Sequence, residues 1–439
     1  MTAALLFSLT LQLVSLGLLL IMLKGRFFHF SGSLFVLVAF VYHGLSELLN
    51  RLGPSGTERA GLTLSELDRW QWFVGLAIFL FTLSYLLVLK VKETTKVTLA
   101  SSELKNITTF LDWRILAIIT LPMYLYELSG GILSENGLSG KNYLQSGLVT
   151  QFLLIFVVFL SFSIILHFGV KVALPVFLVQ ALSIVLLGER LPVVAVSVAL
   201  FYSLKRVNLT LSPRQVWTFI ILMTLVIAAL SVSRITTGRS AYGVNSSGTT
   251  RTNALLSGVA SLGKIPETFR KQFSNRLDGN DFAAYTLKGI TAGIPPVGFT
   301  TFKNDAKLEI PSFIFPSKLN MTEADRDEEL YFELRYDMPP MNRLPTVFGT
   351  FAGYFGPYWL ELIAAILGAM FALIDRWLSK FNMYKFVIGI GLIFSIMYYE
   401  QGPTVYFAIF RGVIVMLAVI TFIQFSRKST MEKHARLNA

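Results

Sequence analysis

Apolar runs of roughly 20 residues, the length that crosses a bilayer as a helix, recur along this 439-residue chain and leave it few ways to fold. In order they cover residues 3–23, 30–49, 70–91, 113–132, 147–167, 170–188, 191–205, 215–233, 347–374, 384–399 and 403–425. In hydrocarbon the backbone N–H and C=O groups of a run must pair within the run itself, so each becomes a helix. With 54% apolar and 15% charged residues, one soluble core would not account for the chain. The expectation is an all-α polytopic membrane bundle of about eleven spans. The ninth run has room for a re-entrant stretch at its start. The first has no basic n-region before it and no small-residue cleavage site, so it is expected to be a retained helix.

Lys and Arg bias gives an orientation. With the N-terminus outside, the inner loops hold Lys24 and Arg26, then Lys90, Lys92, Lys96, Lys105 and Arg114, then Lys171, Lys205, Arg206 and Arg214. They continue with Arg376, Lys380 and Lys385, and a tail over 426–439 with Arg427, Lys428, Lys433 and Arg436. The short outer loops hold only Arg51, Arg59, Arg69, Lys141 and Arg190. By the positive-inside rule the C-terminus is cytoplasmic and residues 234–346 lie outside, between membrane residues 1–233 and 347–425. The formal net charge of +12 then reports topology and requires no nucleic-acid partner. With no cysteine, disulfides, thiolate catalysis and thiolate metal sites are excluded.

The 234–346 segment is far longer than a connection needs to be, so it is expected to grip something at the outer face. Ile265, Phe269 and Phe273 have helical spacing, and 319–335 is an acidic stretch whose Leu330, Phe332 and Leu334 suit a short helix or strand. Pro295, Pro296, Pro311, Pro316, Pro339, Pro340 and Pro345 forbid one long helix. Short helices packed over the membrane domain are expected.

Ionisable residues within the runs collect at one level, in the outer half under this topology. They are His43, Glu47, Glu127, Glu189, Arg190, Arg234, Glu400 and Arg411. A charge near mid-bilayer costs at least about 2.5 kcal/mol, so those retained usually face a cavity or a partner. Glu47, Arg234 and Glu400 also suit charges that snorkel to the headgroups. Arg411, roughly 12 Å below the surface by helical rise, calls for an anion or a carboxylate. Together they suggest a membrane-level cavity for an anionic headgroup.

The segment Ile310-Pro311-Ser312-Phe313-Ile314-Phe315-Pro316-Ser317-Lys318 resembles the external-loop pattern of Wzy-type oligosaccharide repeat-unit polymerases, the superfamily of O-antigen and enterobacterial common antigen polymerases. In the family's order, Leu187-Gly188-Glu189-Arg190 resembles its Gly-x-Arg junction and Arg276-Leu277-Asp278-Gly279 its Arg-containing loop motif. Phe348-Gly349 and Gly353-Tyr354-Phe355-Gly356 resemble its entry into the helix after the loop, and Arg411 falls where the last span is similar. The likeness covers roughly residues 180–415.

That resemblance implies a GT-C-like membrane glycosyltransferase of the bacterial inner membrane, needing no cofactor and no metal. It would transfer a growing glycan from undecaprenyl diphosphate to the non-reducing end of a new lipid-linked repeat, with a chain-length regulator as a partner. Bidentate guanidinium contacts would hold the departing diphosphate. The role carries to Arg190 and Arg411, then Arg276, with Arg234, Arg239 and Arg343 in reserve. Lys318 suits either a phosphate contact or a solvated cation. For the general base the order is Asp278, Glu127, Glu400, although Leu277-Asp278-Gly279 also reads as an ordinary turn.

Two alternatives stay open. An O-antigen ligase would look to a His in the long loop, and the four here are His29, His43, His167 and His434. A flippase or other transporter would place its charges near the midplane of repeated halves. No His pair or carboxylate cluster has metal-ligand spacing, and Asp325, Asp327, Glu328 and Glu329 read as a solvated acidic face.

Overall fold

The computed structural model describes residues 1–24, 26–52, 61–89, 113–129, 148–169, 171–172, 175–180, 191–206, 212, 214–215, 217–218, 221, 279–310, 314–322, 328–339, 345–379, 382–400 and 403–437. Every regular element among them is a helix. In chain order these are α1 (Ala3–Leu23), α2 (Ser31–Arg51), α3 (Leu64–Leu89), α4 (Trp113–Ser129), α5 (Leu148–Phe168), α6 (Leu191–Arg206) and α7 (Asn280–Thr291). Then come α8 (Thr300–Glu309), α9 (Glu328–Arg335), α10 (Val347–Phe355), α11 (Leu360–Leu378), α12 (Met383–Met397) and α13 (Pro403–Leu437).

Five stretches among the described residues are long and apolar enough to cross a membrane: Ala3–Leu23, Ser31–Arg51, Leu64–Leu89, Pro357–Leu378 and Val405–Phe422. Most of the runs at 170–188 and 215–233 lie outside the described residues, as do Ile265, Phe269 and Phe273. The run read as 347–374 is two helices. Gly356, at φ 86°, closes α10 in a conformation that favours glycine, and Pro357 starts the next helical turn with its fixed φ. The acidic stretch before Arg335 resolves into α9, with Phe332 buried and Leu334 exposed. The helix begun at Pro403 does not stop at residue 425 but continues to Leu437.

The chain divides into two compact units. The first combines Met1–Lys96, Pro266–Lys380 and Ser395–Phe407, so the described part of the long polar segment belongs with the first three spans. The second combines Val97–Ile265, Phe381–Phe394 and Ala408–Ala439.

In the first unit the helix directions follow from contacts. Phe7 meets Trp72 at 4.2 Å and Thr2 donates to Asp68 at 2.8 Å, so α1 and α3 run parallel. Phe73 meets Tyr358 at 5.9 Å near the start of α3 and α11, and Tyr85 donates to Asp375 at 2.8 Å near their ends, so these two are parallel as well. Helix α2 runs the other way, with Ser31 at Asp375 and Arg51 at Asp68.

Small residues let the backbones close up. A Cβ on Gly75 would lie 2.7 Å from Ser8 Cα, and one on Gly368 would lie 2.2 Å from the Phe81 carbonyl oxygen. Ala364, Gly368 and Ala372 form a buried row at four-residue spacing on α11, the small-residue packing by which membrane helices associate where lipid supplies no hydrophobic drive. Because backbone cannot rotate away, Gly368→Ala is expected to part α3 from α11 and cost about 2 kcal/mol. The midpoint of unfolding in detergent measures it, and an unchanged midpoint would show that the interface yields.

One carboxylate fixes the far end of α2. Asp375 is buried and accepts from the Ser31 N–H (3.1 Å), the Ser31 hydroxyl (2.9 Å), the Gly32 N–H (3.2 Å) and the Tyr85 hydroxyl (2.8 Å). It caps α2 from another helix, meeting N–H groups that have no partner within their own helix at its positive dipole end. In the second unit α4 packs on α5 and α5 on α6, Phe386 lies on Phe162 at 5.0 Å, and Ser161 donates to Gln180 at 2.6 Å.

Candidate functional site

The polar centre of the first unit is built on an irregularity in α2. Residues Phe40–Leu45 form a π turn, buried at Tyr42, His43 and Gly44. Such a turn releases a carbonyl from the regular ladder and is frequent at functional positions. Here the carbonyl of His43 accepts from the Asn280 side-chain amide at 3.2 Å and from Gln71 at 3.5 Å.

Asn280, the first residue of α7, uses its whole hydrogen-bonding capacity. Its Oδ1 accepts from Trp70 Nε1 at 3.0 Å and lies 2.9 Å from His43 Nδ1, while its Nδ2 donates to the His43 carbonyl and, at 3.3 Å, to Glu47. Trp70 has only a donor and the Glu47 carboxylate only acceptors, so the amide has one orientation. An accepting Oδ1 places the histidine proton on Nδ1. Nε2 then accepts from the Tyr399 hydroxyl at 3.0 Å. The Val347 N–H donates to the Tyr399 carbonyl at 3.3 Å.

Five separate stretches meet at this point: α2, α3, and the starts of α7 and α10, with the turn that follows α12. Close packing tightens it. A Cβ on Gly279 would come 2.1 Å from Thr346 Cγ2 and 3.4 Å from His43 Cε1, and Phe348 and Tyr399 flank the His43 ring at 6.3 and 5.8 Å.

Toward the end of α2 the centre becomes ionic. Glu47, fully buried, pairs with Arg51 at 2.7 Å, and Arg51 also reaches Asp68 at 2.6 Å and Thr2 at 2.7 Å. Glu47 is therefore no snorkelling charge, and Arg51, assigned to a loop by sequence, closes a helix end. Beside the centre, the Tyr42 hydroxyl donates to Glu400 at 2.6 Å, and Tyr406 donates to the carbonyls of Tyr398 and Tyr399, holding the turn that carries Glu400.

Of the residues singled out by sequence, His43, Glu47 and Glu400 thus come together on α2 and its neighbours. Arg411 is half-buried within the Val405–Phe422 span and belongs to the second unit. Glu127 lies in α4 and Lys318 in a short 3-10 turn over Pro316–Asn320, with both side chains outside the description. Asp278, Arg276, Arg190, Arg234, Glu189, Arg239 and Arg343 lie outside the described residues. Asn280, Trp70, Tyr42 and Tyr399 went unnoticed in the sequence, where amides and aromatic residues within or beside apolar runs carry no charge to mark them.

Compared with protein families, curated proteins and solved structures, the chain shows no match. It has the helices of a membrane-spanning protein, and its activity has to be argued from its own residues.

Proposed function

We propose that this protein polymerises lipid-diphosphate-linked oligosaccharide repeat units at the membrane, as its sequence resemblance implies. The observation that carries the reading is the carboxylate of Glu400, oriented by Tyr42 at 2.6 Å and set beside a rigid polar centre. Such a group can serve a glycosyl transfer to a hydroxyl as its general base. The acceptor oxygen attacks the anomeric carbon, the bond to the diphosphate breaks with its electron pair leaving on phosphate, and Glu400 takes the hydroxyl proton. Arg411 and the loop arginines Arg190, Arg276 and Arg234 would hold the diphosphate. Asp278 and Glu127 stay candidates for the base beside Glu400, whose carboxylate accepts from Tyr42.

A cell lacking the protein is expected to lose its long glycan ladder and keep single repeats. Accumulation of full-length chains still on lipid carrier would indicate a ligase instead. Complementation with Glu400→Gln should leave the protein inserted and folded while chain extension falls by about 100-fold or more. A normal ladder from that variant would remove Glu400 from the chemistry.

A further inference from the structure

The stretch between α7 and α9 shows apolar side chains on its outside although it belongs to no span. Phe299, Ile310 and Ile314 expose 50%, 38% and 62% of their surface. The level of Phe299 is fixed by neighbours. The N–H groups of Val297 and Gly298 donate to the Gly353 and Tyr354 carbonyls at 2.9 and 3.0 Å, and the Phe299 ring stands edge-on to Phe355 at 4.8 Å. This stretch therefore runs beside the last turn of α10, next to Gly356 and the start of the Pro357–Leu378 span. At that start Tyr358 and Trp359 point outward, 85% and 58% exposed, as amphipathic aromatic rings do where a span meets the headgroups.

Beside Phe299, whose ring it meets at 6.1 Å, Phe302 anchors α8. Phe302 packs on Tyr354 at 6.4 Å and on Phe407, a residue of the Val405–Phe422 span, at 5.1 Å. Lys303 is exposed one turn before Lys307, whose ammonium lies 5.8 Å from the Phe315 ring. Exposed apolar side chains before and after α8, lysines on the same short helix and outward aromatic rings at the start of the neighbouring span are features of an element lying in the bilayer interface.

We propose that α8, with Phe299, Ile310 and Ile314 flanking it, forms a monotopic contact with the phospholipid bilayer that the spans cross. Phe299, Ile310 and Ile314 enter the lipid, and Lys303 and Lys307 extend to the headgroups. Ile310 and Ile314 of the Ile310–Lys318 motif are then seated at the membrane. This inference rests on the membrane reading and not on the proposed enzyme activity.

The chain has no cysteine, so an introduced one is a unique label site. A nitroxide is attached at Ile310→Cys, Ile314→Cys, Lys303→Cys and, as the lipid reference, Leu373→Cys, which is exposed within a span. In full-length protein held in phospholipid nanodiscs, collisions with oxygen report lipid and collisions with a soluble nickel chelate report water. Oxygen should dominate at 310 and 314 as it does at 373, and nickel should gain at 303. Nickel access at 310 and 314 equal to that at 303 would overturn the proposal, and so would protection from both reagents, which would mean that a protein covers the surface.

Discussion

Asn280→Asp should undock α7 from the membrane helices, although the two side chains have nearly the same shape. The amide Nδ2 donates to Glu47 and to the His43 carbonyl. A carboxylate oxygen in its place would face two acceptors, one of them the charged partner of Arg51. Trp70 and His43 would keep their acceptor, so the loss comes from one atom. An uncompensated buried charge costs about 3–5 kcal/mol, comparable to the docking free energy of one short helix. Undocking has a direct readout, because Ala283 is fully buried. In Ala283→Cys protein a maleimide should react slowly, and adding Asn280→Asp should accelerate the reaction by at least about 100-fold, each factor of ten corresponding to about 1.4 kcal/mol. An unchanged rate would mean that the amide is not the anchor.

The same residue shows what the sequence disclosed and what it did not. Apolar length identified the membrane helices, because nothing but internal backbone pairing satisfies a chain in hydrocarbon. His43, Glu47 and Glu400 stood out because charge within such runs is costly. Asn280 stood out in no way. It follows Gly279 in a polar stretch, and its role depends on a π turn more than 230 residues away, which no local pattern encodes. The ninth run left room for a re-entrant stretch at its start, and in the structure Gly356 and Pro357 divide it into α10 and α11. The ionic end of α2 was half legible. Arg51 reads as a loop cation until the parallel course of α1 and α3 brings Thr2 and Asp68 to it.

Asp375→Ala is expected to be among the most destabilising single changes in the first unit. In the sequence Asp375 follows the run 347–374 directly and precedes Arg376. In the structure it accepts four hydrogen bonds from two helices and is fully buried. Truncation leaves the Ser31 and Gly32 N–H groups without an acceptor where α2 begins, and hydrocarbon offers no replacement. Each such group costs about 1–3 kcal/mol, so a loss of about 4 kcal/mol is expected. The Ser31 and Tyr85 hydroxyls can turn elsewhere and add less. Asp375→Asn separates charge from shape. Its oxygen can still serve one pair of donors, but its NH₂ must then face the other pair, donor against donor, and about half the loss should persist. Neighbours cannot absorb the change, because a Cβ on Gly32 would sit 2.2 Å from the Tyr85 ring, which shows how little room α2 has to shift there. Unfolding midpoints in detergent should rank wild type above Asn and Asn above Ala. Equal midpoints for wild type and Ala would mean that the two N–H groups find other acceptors, and that the cap between helices contributes nothing to the fold.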